Sequence, residues 1–327
     1  MHRSLALFIA CQALAQVGCG HGSETKQLGG LPRTPPYGAP LAADSEKTLP
    51  LAAHRFAEVT DVIGPYVGRD GELSLAAWAE ASRTGRKLVV ATIDAKGVPS
   101  APTTIGNVSA DLDLVLVRGF GSASAKLTGR PRFALITTRK SGQKTLLDVT
   151  AIAAGGSALW GPTTLAERAA NVLWLGFVIA NDTPLLLWAE QADAGKPGDP
   201  AAIYGLPLSL EAKPQPFLVA TKACAWQAAS VGTQAALASV KASSGSCTAG
   251  SVTLDLLSKT GRVDKSLELP GRAALDLDLI GGDDAFVLAW SDHAQLEPRV
   301  MTAVVDARGA LRSTNVGTRG GWCVGAG

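Results

Sequence analysis

The groups able to do chemistry in this chain are 5 cysteines, 4 histidines, 28 acidic residues and the hydroxyls. Their spacing assigns little of it. Nucleophilic hydrolysis would need a Ser, a His and an acid in a recognisable local frame, yet there is no G-x-S-x-G elbow, P-loop or H-E-x-x-H, and no G-x-G-x-x-G opening a helix. His293 reads as an exposed loop residue. Zinc binding favours clustered Cys and His, whereas no C-x-x-C occurs and His21, His54 and His293 lie far apart. Asp283 and Asp284 follow Gly281 and Gly282; without an alternating D-x-D-x-D-G they read as a hairpin turn rather than a cation loop. Asp111, Asp113, Asp276 and Asp278 alternate with leucines, so one face of each of those strands meets water. On innermost strands they would point toward a shared channel. No residue is assigned as catalytic, cofactor-binding or metal-ligating.

The cysteines carry the clearer chemistry. His2 and Arg3 precede an apolar run over 5–15 that is too short to cross a bilayer, so residues 1–18 read as a signal peptide. Two cleavage chemistries fit. Ala13-Leu14-Ala15 is an A-x-A site that would release a soluble chain at Gln16. Val17-Gly18-Cys19 resembles a bacterial lipobox, which implies acylation of the Cys19 thiol and a lipid anchor; the small polar start Gly20, His21, Gly22, Ser23 favours it. Export implies an oxidising compartment, where cysteines pair. Cys224 and Cys247 are the preferred disulfide, and pairings with Cys323 stay open.

These groups must be positioned by a repeat. AWAEASRTGRKLVVATIDAKG, starting at Ala77, recurs as AWSDHAQLEPRVMTAVVDARG, starting at Ala289. Trp78, Asp94 and Gly97 thus correspond to Trp290, Asp306 and Gly309. Between the two copies, apolar runs place Thr137, Trp188 and Trp226 at the tryptophan anchor. Inter-unit packing explains these tryptophans better than sugar stacking does. In the D-A-x-G turns, Asp starts the turn and Gly supplies a residue able to adopt positive φ. Short apolar runs separated by Gly, Pro, Asn and Asp read as strands throughout. The unbroken runs LSLAAW and AFVLAW require cover on both faces. FVIANDTPLLLW reads as a hairpin turning at Asn181 and Asp182. One segment departs: Thr164 with Glu167, and Leu165, Ala169, Val172 and Leu173 at helical spacing, predict a short helix.

Residues 19–50 are a Gly/Pro-rich tether, leaving 51–327 as one repeat domain. Units of about fifty residues with four short strands and doubly covered central strands describe an all-β fold, a β-propeller of five blades, or six if residues 51–70 help close the ring. Two tandem β-sandwich domains are the alternative, against which the spacing of Cys224, Trp226 and Cys247 speaks. The domain resembles the propeller repeats of exported bacterial lipoproteins, and its D-A-x-G turn is similar to that of PQQ-like repeats. Export, a tether, repeats and the lack of a catalytic set point to a monomeric, lipid-anchored, non-enzymatic binding or scaffold protein of the bacterial envelope, with a protein or glycan partner and no cofactor. An outer-membrane assembly lipoprotein and an extracellular glycan hydrolase or lyase are the alternatives. With 30 basic residues against 28 acidic ones and neither sign clustered, nucleic acid is not an expected partner.

Overall fold

In a computed structural model the chain is described over residues 62–82, 85–108, 112–191, 199–208, 215–243, 247, 250–292 and 299–316. The signal peptide, Cys19, the tether, Asp111, His293 and Cys323 lie outside these residues. What is described is almost entirely antiparallel sheet.

Two sheets are separate four-stranded meanders. Unit 1 holds β1 (Val62–Asp70), β2 (Leu73–Ser82), β3 (Gly85–Ile93) and β4 (Thr103–Val108). Unit 2 holds β5 (Leu112–Gly119), β6 (Phe133–Ser141), β7 (Lys144–Ile152) and β8 (Ala158–Arg168). The other ten strands form one ladder: β9 (Asn171–Ala180), β10 (Thr183–Gln191), β11 (Ala201–Pro207), β12 (Phe217–Val231), β13 (Gln234–Ala242), β14 (Gly250–Leu257), β15 (Val263–Gly281), β16 (Ala285–Asp292), β17 (Arg299–Asp306) and β18 (Leu311–Val316). Two of these strands are unusually long, β12 with 15 residues and β15 with 19.

Both long strands serve two units. Up to Ala223, β12 pairs with β11; beyond a register break it pairs with β13. Likewise β15 pairs with β14 up to Ala273 and with β16 from Ala273 onward, with a register break between Ala273 and Leu277. Positive φ at Lys222 and at Gly271, just after Pro270, marks the bends. Each long strand is therefore the fourth strand of one unit and the first of the next, and the ladder resolves into three further four-stranded units. Within the described residues there are five units, and β1 supplies the first strand of unit 1 rather than a sixth unit.

Burial follows from this stacking. Residues 75–79 of β2 are buried without interruption, as the unbroken run LSLAAW requires of a strand covered on both faces. Successive units share apolar clusters. Leu75, Ala77 and Val90 of unit 1 meet Val117, Phe133 and Leu135 of unit 2. Ile136, Leu147 and Val149 meet Phe177, Leu186 and Trp188 of unit 3, and Leu185, Leu187 and Ile203 meet Ala235 and Leu237 of unit 4. Val240, Val252 and Leu254 then meet Phe286, Leu288 and Trp290 of unit 5. Each large side chain buried this way stabilises by about 1.5–3 kcal/mol. AFVLAW differs from expectation. Phe286, Leu288 and Trp290 are buried against unit 4, while Val287 and Ala289 on the other face are only half-buried.

First strands approach closely where glycine permits. A Cβ on Gly119 would lie 2.5 Å from the Arg69 carbonyl oxygen, and one on Gly68 would meet the Val117 carbonyl.

Two further expectations are corrected. The helix predicted from Thr164 is absent: residues up to Arg168 belong to β8 and those from Asn171 to β9. The would-be capping hydroxyl of Thr164 instead donates to Asp148 at 2.5 Å, and Glu167 pairs with Lys144 at 2.9 Å, so both cap residues serve the ladder to β7. Trp226 is not an anchor on a second strand. It lies on β12, the first strand of unit 4, and the equivalent second-strand position is Ser239, whose hydroxyl hydrogen-bonds to Thr253 on β14. With that change Thr137, Trp188, Ser239 and Trp290 follow one another at a constant 51 residues.

Candidate functional site

The five first strands (β1, β5, β9, the second half of β12 and the second half of β15) lie side by side in that order. A meander puts its first and third turns at one end and its second turn and crossover at the other. At the first-turn end, four of the units turn tightly. Asn181 and Asp182 both take positive φ, 49° and 58°, forming the expected hairpin turn of unit 3. Unit 2 departs from the others. Residues 120–132 form a long loop containing a short 3-10 turn, Gly121–Lys126.

This loop is braced on both sides. The Phe120 N–H donates to the Arg132 carbonyl at 2.9 Å, closing its base. Toward unit 3, the Ser122 hydroxyl and the Lys126 ammonium donate to the two oxygens of Asp182 at 2.8 and 3.1 Å, and the Phe120 ring meets Phe177 edge-on at 5.5 Å. Those two donors, Ser122 first, hold the Asp182 carboxyl below its ordinary pKa. Toward unit 1, Arg132 forms an ion pair with buried Asp70 at 2.7 Å and donates to its carbonyl at 3.1 Å. Three units are thus joined through one loop into a fixed, solvent-facing surface.

Other carboxylates hold the sheets together. Glu190 on β10 accepts two hydrogen bonds from Arg168 at 2.6 and 2.7 Å and one from the Trp188 indole at 3.1 Å. The Arg168 guanidinium lies 4.5 Å above the Tyr204 ring and 5.9 Å from that of Trp188, and the bond to Glu190 raises its pKa. Asp148 accepts from Arg139 at 2.6 Å as well as from Thr164, and Asp255 accepts from Ser266 and pairs with Lys241 at 3.4 Å. Each buried acid sits on its own strand with its own cation. A glycosidase mechanism instead requires two carboxyl groups facing one bond, one of them able to hold a proton.

The structure places the remaining sequence-derived residues as follows. Trp78, Trp188 and Trp290 occupy equivalent buried positions on second strands, and in units 1 and 3 the indole donates to the glutamate two residues on, Trp78 to Glu80 at 2.7 Å. Asp94 and Asp306 each accept two backbone N–H bonds, from Lys96 and Val98 and from Arg308 and Ala310, while Gly97 and Gly309 take φ of 78° and 74°. The same turn recurs at Ala153 to Gly156 and at Ser258 to Gly261. Its signal in the sequence is a glycine three residues after the turn opens; without the aspartate it goes unnoticed. Cys224 and Cys247 form a disulfide, S–S 2.07 Å, which ties the bend of β12 to the connection between β13 and β14. Asp113 lies on the first strand of unit 2, and Asp276 and Asp278 on that of unit 5. Asp284 lies in the turn between β15 and β16 and pairs with Arg312 at 2.7 Å. What sequence reasoning missed is the bracing of this loop by Asp70 with Arg132 and by Asp182 with Ser122 and Lys126, pairs separated by 56 to 62 positions.

No family model matches the chain, and no curated protein matches it. Solved structures do. Prolyl oligopeptidase B from Galerina marginata superposes with a TM-score of 0.47 at 13% identity, over 85% of this chain and 37% of that one. Acylaminoacyl peptidase from Pyrococcus horikoshii gives 0.44 at 9%, over 76% and 39%. An alpha-L-arabinofuranosidase from Lactobacillus brevis gives 0.38 at 10%, over 76% and 92%. The chain spans less than two-fifths of the length of either peptidase.

Proposed function

We propose that this is an exported, non-enzymatic binding or scaffold protein, lipid-anchored at Cys19, whose five units close into a β-propeller and present the braced loop 120–132 to a protein or glycan partner. The single observation that carries the binding role is that loop. It is a long departure from an otherwise regular repeat, held rigid by Asp70 and Asp182 on its two neighbours, and rigid scaffolds with one elaborated loop suit recognition. The Cys224–Cys247 disulfide supports residence outside the cytoplasm. Closure into a ring is supported by the two ends of the stack. The far face of unit 1 (Ala76, Trp78, Val89, Ala91, Ile93) and the far face of unit 5 (Val287, Ala289, Val304) are both apolar sheet surfaces of matching kind. The engagement of each buried carboxylate with its own cation favours binding over glycan hydrolysis.

A photo-crosslinking amino acid at exposed Ala125 in the loop, compared with one at Gly142 in the opposite-end turn between β6 and β7, tests the reading. Partner capture from position 125 and not from 142 is expected; capture from 142 alone would overturn it, as would release of reducing sugar ends from envelope polysaccharide by the purified chain. The anchor is tested separately by palmitate labelling of wild type against Cys19→Ser, where equal labelling removes it.

A further inference from the structure

The junction of units 2 and 3 is fastened by one arginine. Arg168, the last residue of β8, lies 5.9 Å from the Trp188 ring and gives Glu190 two hydrogen bonds, while the Trp188 indole gives it a third. The receiving half is a tryptophan that faces the preceding unit and a glutamate two residues further along the second strand. Units 2 and 4 do not carry it. Thr137 and Ser239 stand at the tryptophan position, and the cations two residues on, Arg139 and Lys241, pair inside their own units with Asp148 and Asp255. Unit 5 has Trp290, but its buried indole N–H has no acceptor among the described residues. Unit 1 has both parts: Trp78 donates to Glu80 at 2.7 Å, and the pair lies on the face turned away from unit 2.

That face is covered. Ala76, Trp78, Val89, Ala91 and Ile93 are 0–4% exposed, yet every described member of their cluster belongs to unit 1. A sheet face this dry has something packed on it. In a ring the unit preceding unit 1 is unit 5, and the counterpart of β8 is β18. The two ladders can be counted against each other. In unit 2, Thr137 pairs with Asp148 and Asp148 with Thr164, and Arg168 stands opposite Thr145, three residues before Asp148. In unit 5, Trp290 pairs with Met301 and Met301 with Val316. Three residues past Val316, the same level and the same face come to Arg319. Residues 317–327 carry no other charged side chain. Of the other cations on the Glu80 face, Lys87 stands opposite Glu80 on β3 but is exposed and forms no ion pair with it. Arg69 stands opposite Ser74, six residues back along β2. A guanidinium suits the place better than an ammonium, because it can stack on the indole and bond the carboxylate at once.

We propose that the Trp78–Glu80 face takes the C-terminal segment of this same chain, with Arg319 over the Trp78 ring and bonded to the Glu80 carboxylate, so that unit 5 is fastened to unit 1 as unit 2 is to unit 3. This deepens the ring closure proposed above and rests on it for the order of the units. The test uses the mature chain. A photo-crosslinking amino acid at Gly320, which leaves Arg319 in place, should link to residues 76–91 of the same chain, and the link should be lost when Arg319→Gln is added. Links confined to unit 5, or a link that survives Arg319→Gln, overturn the assignment; links between two chains overturn it in favour of a second copy. A crosslinker at exposed Ser313, which shares the face of Val304 on β18, reads ring closure separately. Links to unit 1 from 313 and not from 320 leave a closed ring and reject the latch. Links from 320 and not from 313 keep the docked segment and reject ring closure. Urea unfolding supplies the energetics. Glu80→Gln and Arg319→Gln should each lower the folded-to-unfolded ratio by about tenfold or more, and the double variant by no more than about threefold further, since each single strands the same partner. Additive losses, or a coupling of Glu80 to Lys87 in the corresponding Lys87→Gln cycle and none to Arg319, overturn the proposal.

Discussion

Replacing Glu190 by Gln keeps volume and shape at the junction of units 2 and 3 while removing one charge. The carboxylate is buried and accepts three hydrogen bonds, two from Arg168 and one from Trp188. Charge-assisted bonds of this kind contribute about 1.5–3 kcal/mol each. A glutamine can still accept through its oxygen, but its NH2 faces a donor, so one of the two guanidinium bonds is lost outright and the other becomes neutral. Removing one partner of a buried pair typically costs about 3–5 kcal/mol. The Arg168 side chain remains 24% exposed, and its stacking on Tyr204 persists, so water and the ring recover part of that. The expected net loss is about 2–4 kcal/mol. Equilibrium urea unfolding of wild type, Glu190→Gln, Arg168→Met and the double variant measures it. The double variant should cost less than the sum of the singles by about 1–3 kcal/mol, because each single leaves the other group stranded. Glu167→Gln, in an exposed pair with Lys144, is the control and should cost under about 0.5 kcal/mol. A Glu190→Gln cost below about 1 kcal/mol, or strict additivity in the cycle, would refute the assignment of this pair as the latch between the units.

Other perturbations probe other links. Replacing Cys224 and Cys247 together by Ser removes a cross-link spanning 23 residues, and the loop-closure relation puts the loss at about 3 kcal/mol; an unchanged unfolding midpoint under non-reducing conditions would contradict it. Gly68→Ala forces a methyl group against the backbone of β5 and should cost about 1–3 kcal/mol by overpacking, whereas Gly142→Ala, in open space, incurs only the strain of its positive φ; the two unfolding curves decide the comparison. Asp306 is held below its ordinary pKa of 3.8, first by the Ala310 N–H and also by the Arg308 N–H. A depressed folded value contributes stability that is present above the unfolded pKa and lost as pH falls through the folded one, so Asp306→Asn should flatten the fall in melting temperature below about pH 4. Parallel acid limbs for the two proteins would reject that linkage.

How much of this was legible in the sequence depended on whether an interaction was local. The run over 75–79 announced a doubly covered strand because every side chain in it had to be apolar, and the turn at Asp306 was readable because its acceptor and both donors lie within five residues. The Asp70–Arg132 pair spans 62 positions and Ser122–Asp182 spans 60, separations at which nothing in a single sequence links an acid to its partner. Trp226 misled for a different reason. The repeat conserves a buried position on the second strand and not a residue type, so Ser239 paired with Thr253 fills it in unit 4, while a tryptophan stands thirteen residues earlier on a shared strand. The helical spacing from Thr164 to Leu173 is likewise a by-product of an outer strand meeting the next inner one around Ala169 and Ala170. In a repeat the residues that agree between units describe packing. Function is therefore sought where units disagree, and the largest disagreement is residues 120–132, present at the first turn of unit 2 and absent from that turn in every other unit.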